Sequence, residues 1–475
     1  MSHSNNQIKN LYNSFTEISE YKLLTKGQKE FVKLFFEGKN LFLTGAAGTG
    51  KSFVIKMLLD FLEKNGIFIG RTASTGVAAL NIGGSTLHSF FGIGLALEDA
   101  PTLIQKLYKN KKVQSRLKSS HCLVIDEISM VKADLLDKLD LILKYYRHSN
   151  KPFGGLQVLL TGDIFQLPPV WKDDEERLFF FESRAWQEGN FSVIDLHEIV
   201  RQESDPEFAK LLNRVRFGEK GKYLDLLDSR KDFKFVEDEI EATRLFCKNV
   251  DVDNYNNERL SRINAPLFVY NSTDDALDDR FLDQLDKYCL APKNLKLKVG
   301  AIVMCLYNMP DLGLVNGSMG VVKFLDKNEV RVKFKHKAIS IPKCKWEIKE
   351  ADPMLDGKVK YKTKASREQY PLKVAWASSC HKAQGSTIDR AVIDLSEAFA
   401  EGQAYVALSR VRNLESLSLI DFPHNKIKVN KKCLEFHEKI KDGLIYDGKD
   451  NQSNSFETKK DVDSQPESHT LGEIL

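Results

Sequence analysis

Eight residues, Gly45-Ala46-Ala47-Gly48-Thr49-Gly50-Lys51-Ser52, constrain this chain more than any other feature of it. They match the spacing GxxxxGK[ST] and follow an apolar run from Leu41 to Thr44. They also open a stretch, Lys51 to about Lys64, in which Val54, Met57, Leu58 and Leu62 recur at helical spacing before Gly66. A strand that turns through a side-chain-poor loop into a helix presents backbone N–H groups that can wrap phosphates, with the positive end of the helix behind them. Lys51 is then expected to reach the β- and γ-phosphates and Ser52 to ligate Mg²⁺, so Gly45 through Ser52 reads as a nucleotide cradle for ATP. The plain alternative is a glycine-rich turn, and the rest of the chain argues against it.

The apolar run Cys122 to Ile125 delivers Asp126-Glu127 at a strand end, where ligand sites form in parallel sheets. Asp126 is suited to hold Mg²⁺ through water, and Glu127 to orient or deprotonate an attacking water. The same pair could instead be a helix N-cap region before Ser129. A third run, Val158 to Thr161, ends in Gly162-Asp163 with Gln166 close behind, an amide placed to sense the γ-phosphate. Thr25-Lys26-Gly27-Gln28 has the spacing of a capping box, opening a helix that carries Phe31, Leu34 and Phe35 and stops at Gly38. Gln28 could also read the adenine edge; local chemistry favours the cap, and the two roles are compatible.

Short uncharged runs at Ile67 to Ile69, Cys122 to Ile125 and Val158 to Leu160 predict strands buried on both faces of a parallel sheet. The stretch Gly94 to Ser120 is helical and lysine-rich, an excursion from that sheet. A second α/β region is expected from near Val193, resuming at Val374, with strands at Ala391 to Leu395 and Ser416 to Ile420. Between its halves, Leu295 to Glu350 changes texture. Val330, Val332 and Phe334 alternate with Arg331, Lys333 and Lys335, and Asn316-Gly317 and Asp326-Lys327-Asn328 are turn signals, so a small inserted β-barrel with one basic face is expected.

Composition narrows the class. A chain of 475 residues with 42% apolar content can fill about three cores. Seven scattered cysteines without a CxxC pair favour neither a disulfide framework nor a zinc site, and point to a reducing intracellular setting. No apolar run is long enough to cross a bilayer and no signal segment opens the chain, so no membrane association is expected. The net charge of +4 is unremarkable, but the segment 447–475 holds seven acidic and three basic residues, which leaves +8 for the rest. That tail is expected to be disordered.

The ordered blocks resemble the petite integration frequency (Pif) family of superfamily 1B 5′→3′ DNA helicases, related to phage Dda and to RecD. Besides Gly45 to Ser52 and Asp126-Glu127, they are Thr72-Ala73-Ser74-Thr75-Gly76-Val77-Ala78-Ala79, Gly84-Ser85-Thr86-Leu87-His88-Ser89-Phe90, Phe153-Gly154-Gly155-Leu156-Gln157 and Gly162-Asp163-Ile164-Phe165-Gln166-Leu167-Pro168-Pro169. The C-terminal half adds Arg201-Gln202, Leu314-Val315-Asn316-Gly317, His381-Lys382-Ala383-Gln384-Gly385-Ser386-Thr387 and Tyr405-Val406-Ala407-Leu408-Ser409-Arg410. The resemblance spans about Leu24 to Leu419. It implies an α/β fold of two RecA-like P-loop NTPase domains with a small wedge insertion and an inserted Src-homology-3-like β-barrel. The expected division is a flexible 1–20; domain 1A at 21–190 with wedge 1B at about 92–118; domain 2A at 191–290 and 372–440; barrel 2B at 291–371; and the acidic tail 447–475.

The same resemblance implies that Arg201 and Arg410 act as arginine fingers across an ATP cleft that Gln384 and Gly385 also line. It implies that Thr75, Gly76, His88, Asn316, Ser318, Ser379, His381 and Lys382 touch a nucleic-acid backbone. Phe90, with Phe91, could stack a base or split a duplex, although adjacent phenylalanines are more often core. Two positions depart from the family: Cys380 stands where an aliphatic residue is usual, and Ala383 where a serine is. The expected activity is ATP-dependent 5′→3′ DNA unwinding by a monomer acting on single strands and single/double-strand junctions, with G-quadruplex and RNA–DNA hybrid as further substrates, in repair, recombination or replication. The compact length points to a bacterial or phage version in the cytoplasm, or the nucleus if eukaryotic. The competing readings are an RNA-directed relative, a nuclease-helicase subunit and a passive single-strand-binding adaptor. The last is disfavoured by the intact set Lys51, Ser52, Asp126, Glu127, Gln166 and Arg410.

Overall fold

The computed structural model describes residues 8–171, 175–202, 204–235, 241–246, 252–314, 316–334, 337–353, 359–380, 383 and 386–441. Of the residues singled out above, His381, Lys382, Gln384, Gly385, Val315, Lys335 and the tail 447–475 lie outside the described residues, as does Cys247 of the seven cysteines.

The first sheet is parallel and six-stranded. Its strands are β1 (Leu41–Gly45), β2 (Ile69–Ala73), β3 (Ser85–Thr86), β4 (Cys122–Asp126), β5 (Gln157–Thr161) and β6 (Ser192–Leu196), in the order β3-β2-β4-β5-β1-β6. Every residue of β1, β2, β4 and β5 is buried. Alternate side chains feed two cores. Leu41, Leu43, Val124 and Leu159 meet Val54, Leu58 and Leu62 of the helix Lys51–Lys64 on one face. Phe42, Leu123, Ile125, Val158 and Leu160 meet Leu136, Leu139 and Leu143 of the helix Ala133–Tyr146 on the other. Covering on both faces is why these strands read as unbroken apolar runs.

Three expectations shift. The strand foreseen at Ile67 to Ile69 begins only at Ile69 and runs through the polar Arg71 and Thr72. Those side chains are buried but partnered: Thr72 Oγ1 donates to the Val124 carbonyl (2.6 Å), and Arg71 Nη2 donates to Leu59 O and pairs with Glu63. The segment near Val193 does not open the second α/β region, because β6 pairs in parallel with β1. Nor does that region resume at Val374. Leu372–Val374 pairs antiparallel with Ile302–Cys305, and the second sheet is rejoined at Ala377.

The second sheet is parallel and four-stranded, in the order Ala377–Ser379, Thr243–Phe246, Ala391–Asp394, Leu417–Asp421. A five-stranded antiparallel sheet is inserted in it. There Val330, Val332 and Phe334 face inward while Arg331 is exposed. Val303, Val322 and Val332 share one core with Leu245, Ile393 and Leu419 of the parallel sheet. A separate three-stranded sheet, built on the hairpin Cys344–Pro353 and Val359–Gln369, packs against the helix Lys111–Ser119. That helix and its neighbour Ala100–Leu107 contribute Val113, Leu117, Leu103 and Leu107 to the core of the first sheet.

After its last strand the chain crosses back. The helix Lys431–Lys441 buries Cys433 and Phe436 among Phe42, Phe180 and Trp186, with Phe436 stacked on Phe181 at 4.2 Å. Among the described residues no helix is long and apolar enough to cross a membrane.

Candidate nucleotide site and nucleic-acid channel

The phosphate loop leaves β1 and enters the helix Lys51–Lys64 through Gly50, whose φ of +81° suits glycine, as does +87° at Gly48. A Cβ on Gly48 would stand 2.6 Å from Arg201 Cβ and 2.9 Å from Gln202 Oε1, so the 201–202 segment lies directly against the loop. Lys51 Nζ donates to the Gly45 and Ala46 carbonyls at 2.8 and 3.0 Å, and burial holds its pKa below the usual lysine range. The capping box at Thr25 forms: Gln28 Oε1 accepts from the Thr25 N–H, and the Gln28 N–H donates to Thr25 Oγ1. Gln28 Nε2 donates to the Thr49 carbonyl (3.1 Å), so this amide braces the loop as well as the helix start.

At the end of β4, burial first and then the charge of Glu127 push the Asp126 pKa up to about 7. Asp126 Oδ1 accepts from the Glu127 N–H at 2.9 Å. Glu127 takes a left-handed conformation, φ +52°, uncommon without a local cause. It makes no side-chain cap for the turn Ile128–Met130, so capping does not account for the acidic pair. Around the same strand ends the buried hydroxyls of Thr44, Ser129 and Thr161 have no hydrogen-bond partner among the described residues.

The second sheet's side arrives through the helix Gln403–Leu408. Its N-cap Gly402, φ +72°, lies so close to the 165–166 backbone that a Cβ would fall 2.4 Å from both the Phe165 and Gln166 carbonyl oxygens. Gln166 is thereby buried at the junction of the two sheets. Arg410 is buried at the helix end, donating to the Val406 carbonyl (2.7 Å) and to Ser409 Oγ (2.6 Å). Arg201 Nη1 donates to the Ser409 carbonyl (3.2 Å), which brings both predicted fingers to one residue. Burial lowers the pKa of Arg410, and burial with the like charge of Arg410 pushes Arg201 down to about 9. Asp163 is fully buried and takes Arg216 Nη2 at 3.0 Å and Nε at 3.1 Å.

A cavity of about 670 Å³ lies between the first sheet's β2–β3 side and the inserted three-stranded sheet. Gly76, Thr86 and His88 line one side, with Lys112 and Arg116 beside them and Arg280 and Lys364 opposite. Burial holds His88 below the usual histidine range. Thr75 caps the helix Gly76–Asn81 at the cavity edge, its Oγ1 accepting from the Ala78 N–H. Asn316, Ser318 and Ser379 form a different group. The Asn316 N–H donates to Asn308 Oδ1, Ser318 and Ser379 accept through their carbonyls from Cys305 and Ala383, and none of the three lines this cavity. Phe90 is a correction. Only 5% exposed, it packs edge-to-face on Phe91 and under the Arg116 guanidinium, with its ring against Gly70, so it presents no face to a base.

Comparison with known proteins decides the family. A family profile described as PIF1-like helicase matches residues 23–223, and another described as DNA helicase Pif1, 2B domain, matches 280–325. The ATP-dependent DNA helicase PIF1 of Emericella nidulans is 38% identical over 87% of this chain and 62% of its own. The crystal structure of Bacteroides sp Pif1 in complex with ADP-AlF4 superposes with a TM-score of 0.77 at 32% identity, covering 88% of this chain and 97% of that one. Bacteroides Pif1 in complex with ADP-AlF3 and ssDNA gives 0.57 at 32% identity, covering 88% and 97%. The chain belongs to the PIF1-like helicase family. It spans less than two thirds of the length of the first curated relatives it matches.

Within this PIF1-like helicase chain, the sequence carried no signal for Arg216 at the nucleotide site or for Arg116, Arg280 and Lys364 at the cavity, and Gln202 and Tyr405, though inside the quoted blocks, were assigned no role. Arg216 sits on an amphipathic helix, Pro206–Arg216, whose pattern marks a buried face but not its partner. Lys112 alone belongs to a basic run visible beforehand. The site suits a magnesium–nucleoside triphosphate on its own terms: the buried Arg410, the part-buried Lys51 and Arg201, two adjoining carboxylates and several buried hydroxyls without a partner among the described residues surround a glycine-rich loop.

Proposed function

We propose that this chain is an ATP-driven motor that moves 5′→3′ on single-stranded DNA and unwinds duplex at single/double-strand junctions. The observation that carries the reading is that Arg201, packed against Gly48 of the loop that leads to Lys51, donates to the Ser409 carbonyl beside Arg410 of the other sheet. A transferring phosphoryl group placed among these cations is stabilised only when the sheets are together, which links hydrolysis to their relative motion. Ser52 and Asp126 would hold Mg²⁺, which supplies charge neutralisation on the phosphates. Glu127 is then the group that orients or deprotonates the attacking water, and Gln166, seated against Gly402, relays the state of the outer phosphate. Thr75, Gly76 and His88, with the cationic Lys112 and Arg116, would grip a strand by its backbone from the first sheet, and Asn316, Ser318 and Ser379 from the second.

In this reading the two parallel sheets are RecA-like domains, the helices Ala100–Leu107 and Lys111–Ser119 a wedge, and the five-stranded antiparallel insertion a Src-homology-3-like barrel. The chain acts as a monomer on forks, and the polarity follows the family.

The test is unwinding of two partial duplexes, one with a 5′ and one with a 3′ single-stranded tail, by wild type and Lys51→Ala. Only the 5′-tailed duplex should open, and Lys51→Ala should abolish opening while retaining strand binding. Hydrolysis that persists without any unwinding would replace the helicase with a translocase or an RNA-directed enzyme.

A further inference from the structure

One contact joins the two sheets at the phosphate loop itself. Tyr405, 3% exposed in the helix Gln403–Leu408, places its hydroxyl 2.7 Å from the Ala47 amide nitrogen, accepting that N–H, and 3.2 Å from Asp163 Oδ2, to which it donates. The loop N–H groups are the donors with which such a cradle holds phosphate oxygens. Asp163 lies within the electrostatic reach of Lys51, so the hydroxyl stands at the end of the loop where that lysine meets the outer phosphates. Burial keeps the phenol protonated, a neutral acceptor. Its resting position is set by its neighbours: Arg216 holds Asp163, and the close approach of Gly402 to the Phe165 and Gln166 carbonyls holds the helix start.

We propose that Tyr405 is a specificity-determining residue whose hydroxyl competes with the outermost phosphate of a nucleotide for the Ala47 N–H. A triphosphate must displace the hydroxyl and a diphosphate need not, so Tyr405 lowers the affinity for ATP relative to ADP. By retaking the N–H, it also favours departure of inorganic phosphate once the bond is cut. The inference rests on the ATP-driven reading and deepens it. The contact shares its donor, the Ala47 N–H, with the phosphates the loop is built to hold.

The experiment measures the dissociation constants of ADP and of the non-hydrolysable imido analogue of ATP, with Mg²⁺, for wild type and Tyr405→Phe. Phenylalanine keeps the buried ring and removes only the hydroxyl. The analogue should bind about five-fold more tightly to Tyr405→Phe, the size of one net hydrogen bond, with ADP unchanged. An equal change for both nucleotides marks a merely structural role and overturns the proposal, as does weaker analogue binding, which would make the hydroxyl a ligand for the phosphate. Should wild type bind neither nucleotide, the ATP-driven reading falls and the proposal with it. A second measurement needs no variant: in wild type carrying fluorotyrosine, the Tyr405 resonance should move on addition of the analogue and stay in place with ADP, and the reverse overturns the assignment.

Discussion

Asp126 shows what a single buried carboxyl costs and provides. Its pKa of about 7 lies above the ordinary aspartate value, so the folded protein takes up a proton that the unfolded chain releases near pH 4. Stability therefore falls as pH rises from about 4 to about 7 and levels off above. In EDTA at pH 7.5, Asp126→Asn should melt higher than wild type by roughly 2–4 °C, the gap narrowing toward pH 5.5, while ATP hydrolysis is lost. Calorimetric melts at the two pH values check the first part and a phosphate-release assay the second. For wild type, Mg²⁺ must expel that proton below pH 7, so titration calorimetry should find metal affinity falling about ten-fold per pH unit there. Much at this scale was legible beforehand. Lys51, Ser52, Asp126, Glu127 and Gln166 sit at strand ends in local motifs, and local spacing reports local geometry. Phe90 misled because the same two aromatic residues serve a core or a stack equally well, and only burial separates them.

Among the elements, the helix Gln403–Leu408 depends on its first contact. Gly402→Ala would meet the Phe165 and Gln166 carbonyls at 2.4 Å in a left-handed conformation that disfavours a side chain. The expected cost is about 1–3 kcal/mol, read by chemical denaturation, together with a loss of hydrolysis that leaves ADP binding intact. Intact hydrolysis would mean that the junction at Gln166 tolerates displacement. The strands themselves were readable wherever they are apolar throughout. Those that carry partnered buried polar groups, such as Arg71 and Thr72 in β2, concealed their extent, and β6 gave no sign of which sheet it joins because pairing partners are set by contacts distant in sequence. The Tyr405–Asp163 bond spans 242 residues, beyond the reach of any local pattern.

For the molecule as a whole, the returning helix Lys431–Lys441 matters most. Phe436 lies among Phe42, Phe180, Phe181 and Trp186, 5% exposed, and Phe436→Ala should cost about 3–5 kcal/mol. Hydrogen exchange should then report loosening in the first sheet's core, not in the second sheet; a uniform loss in both would mean the helix is not anchored where it packs. Among the described residues the chain crosses between the sheets twice, once after β6 and once after Asp421. A body pinned at one point can tumble in any direction, whereas one pinned at two can only swing about the line between the pins. Two crossings are thus placed like the knuckles of a door hinge: in the motor proposed above, each cycle would retrace one arc, and the length of a stride would be set by how wide the door opens.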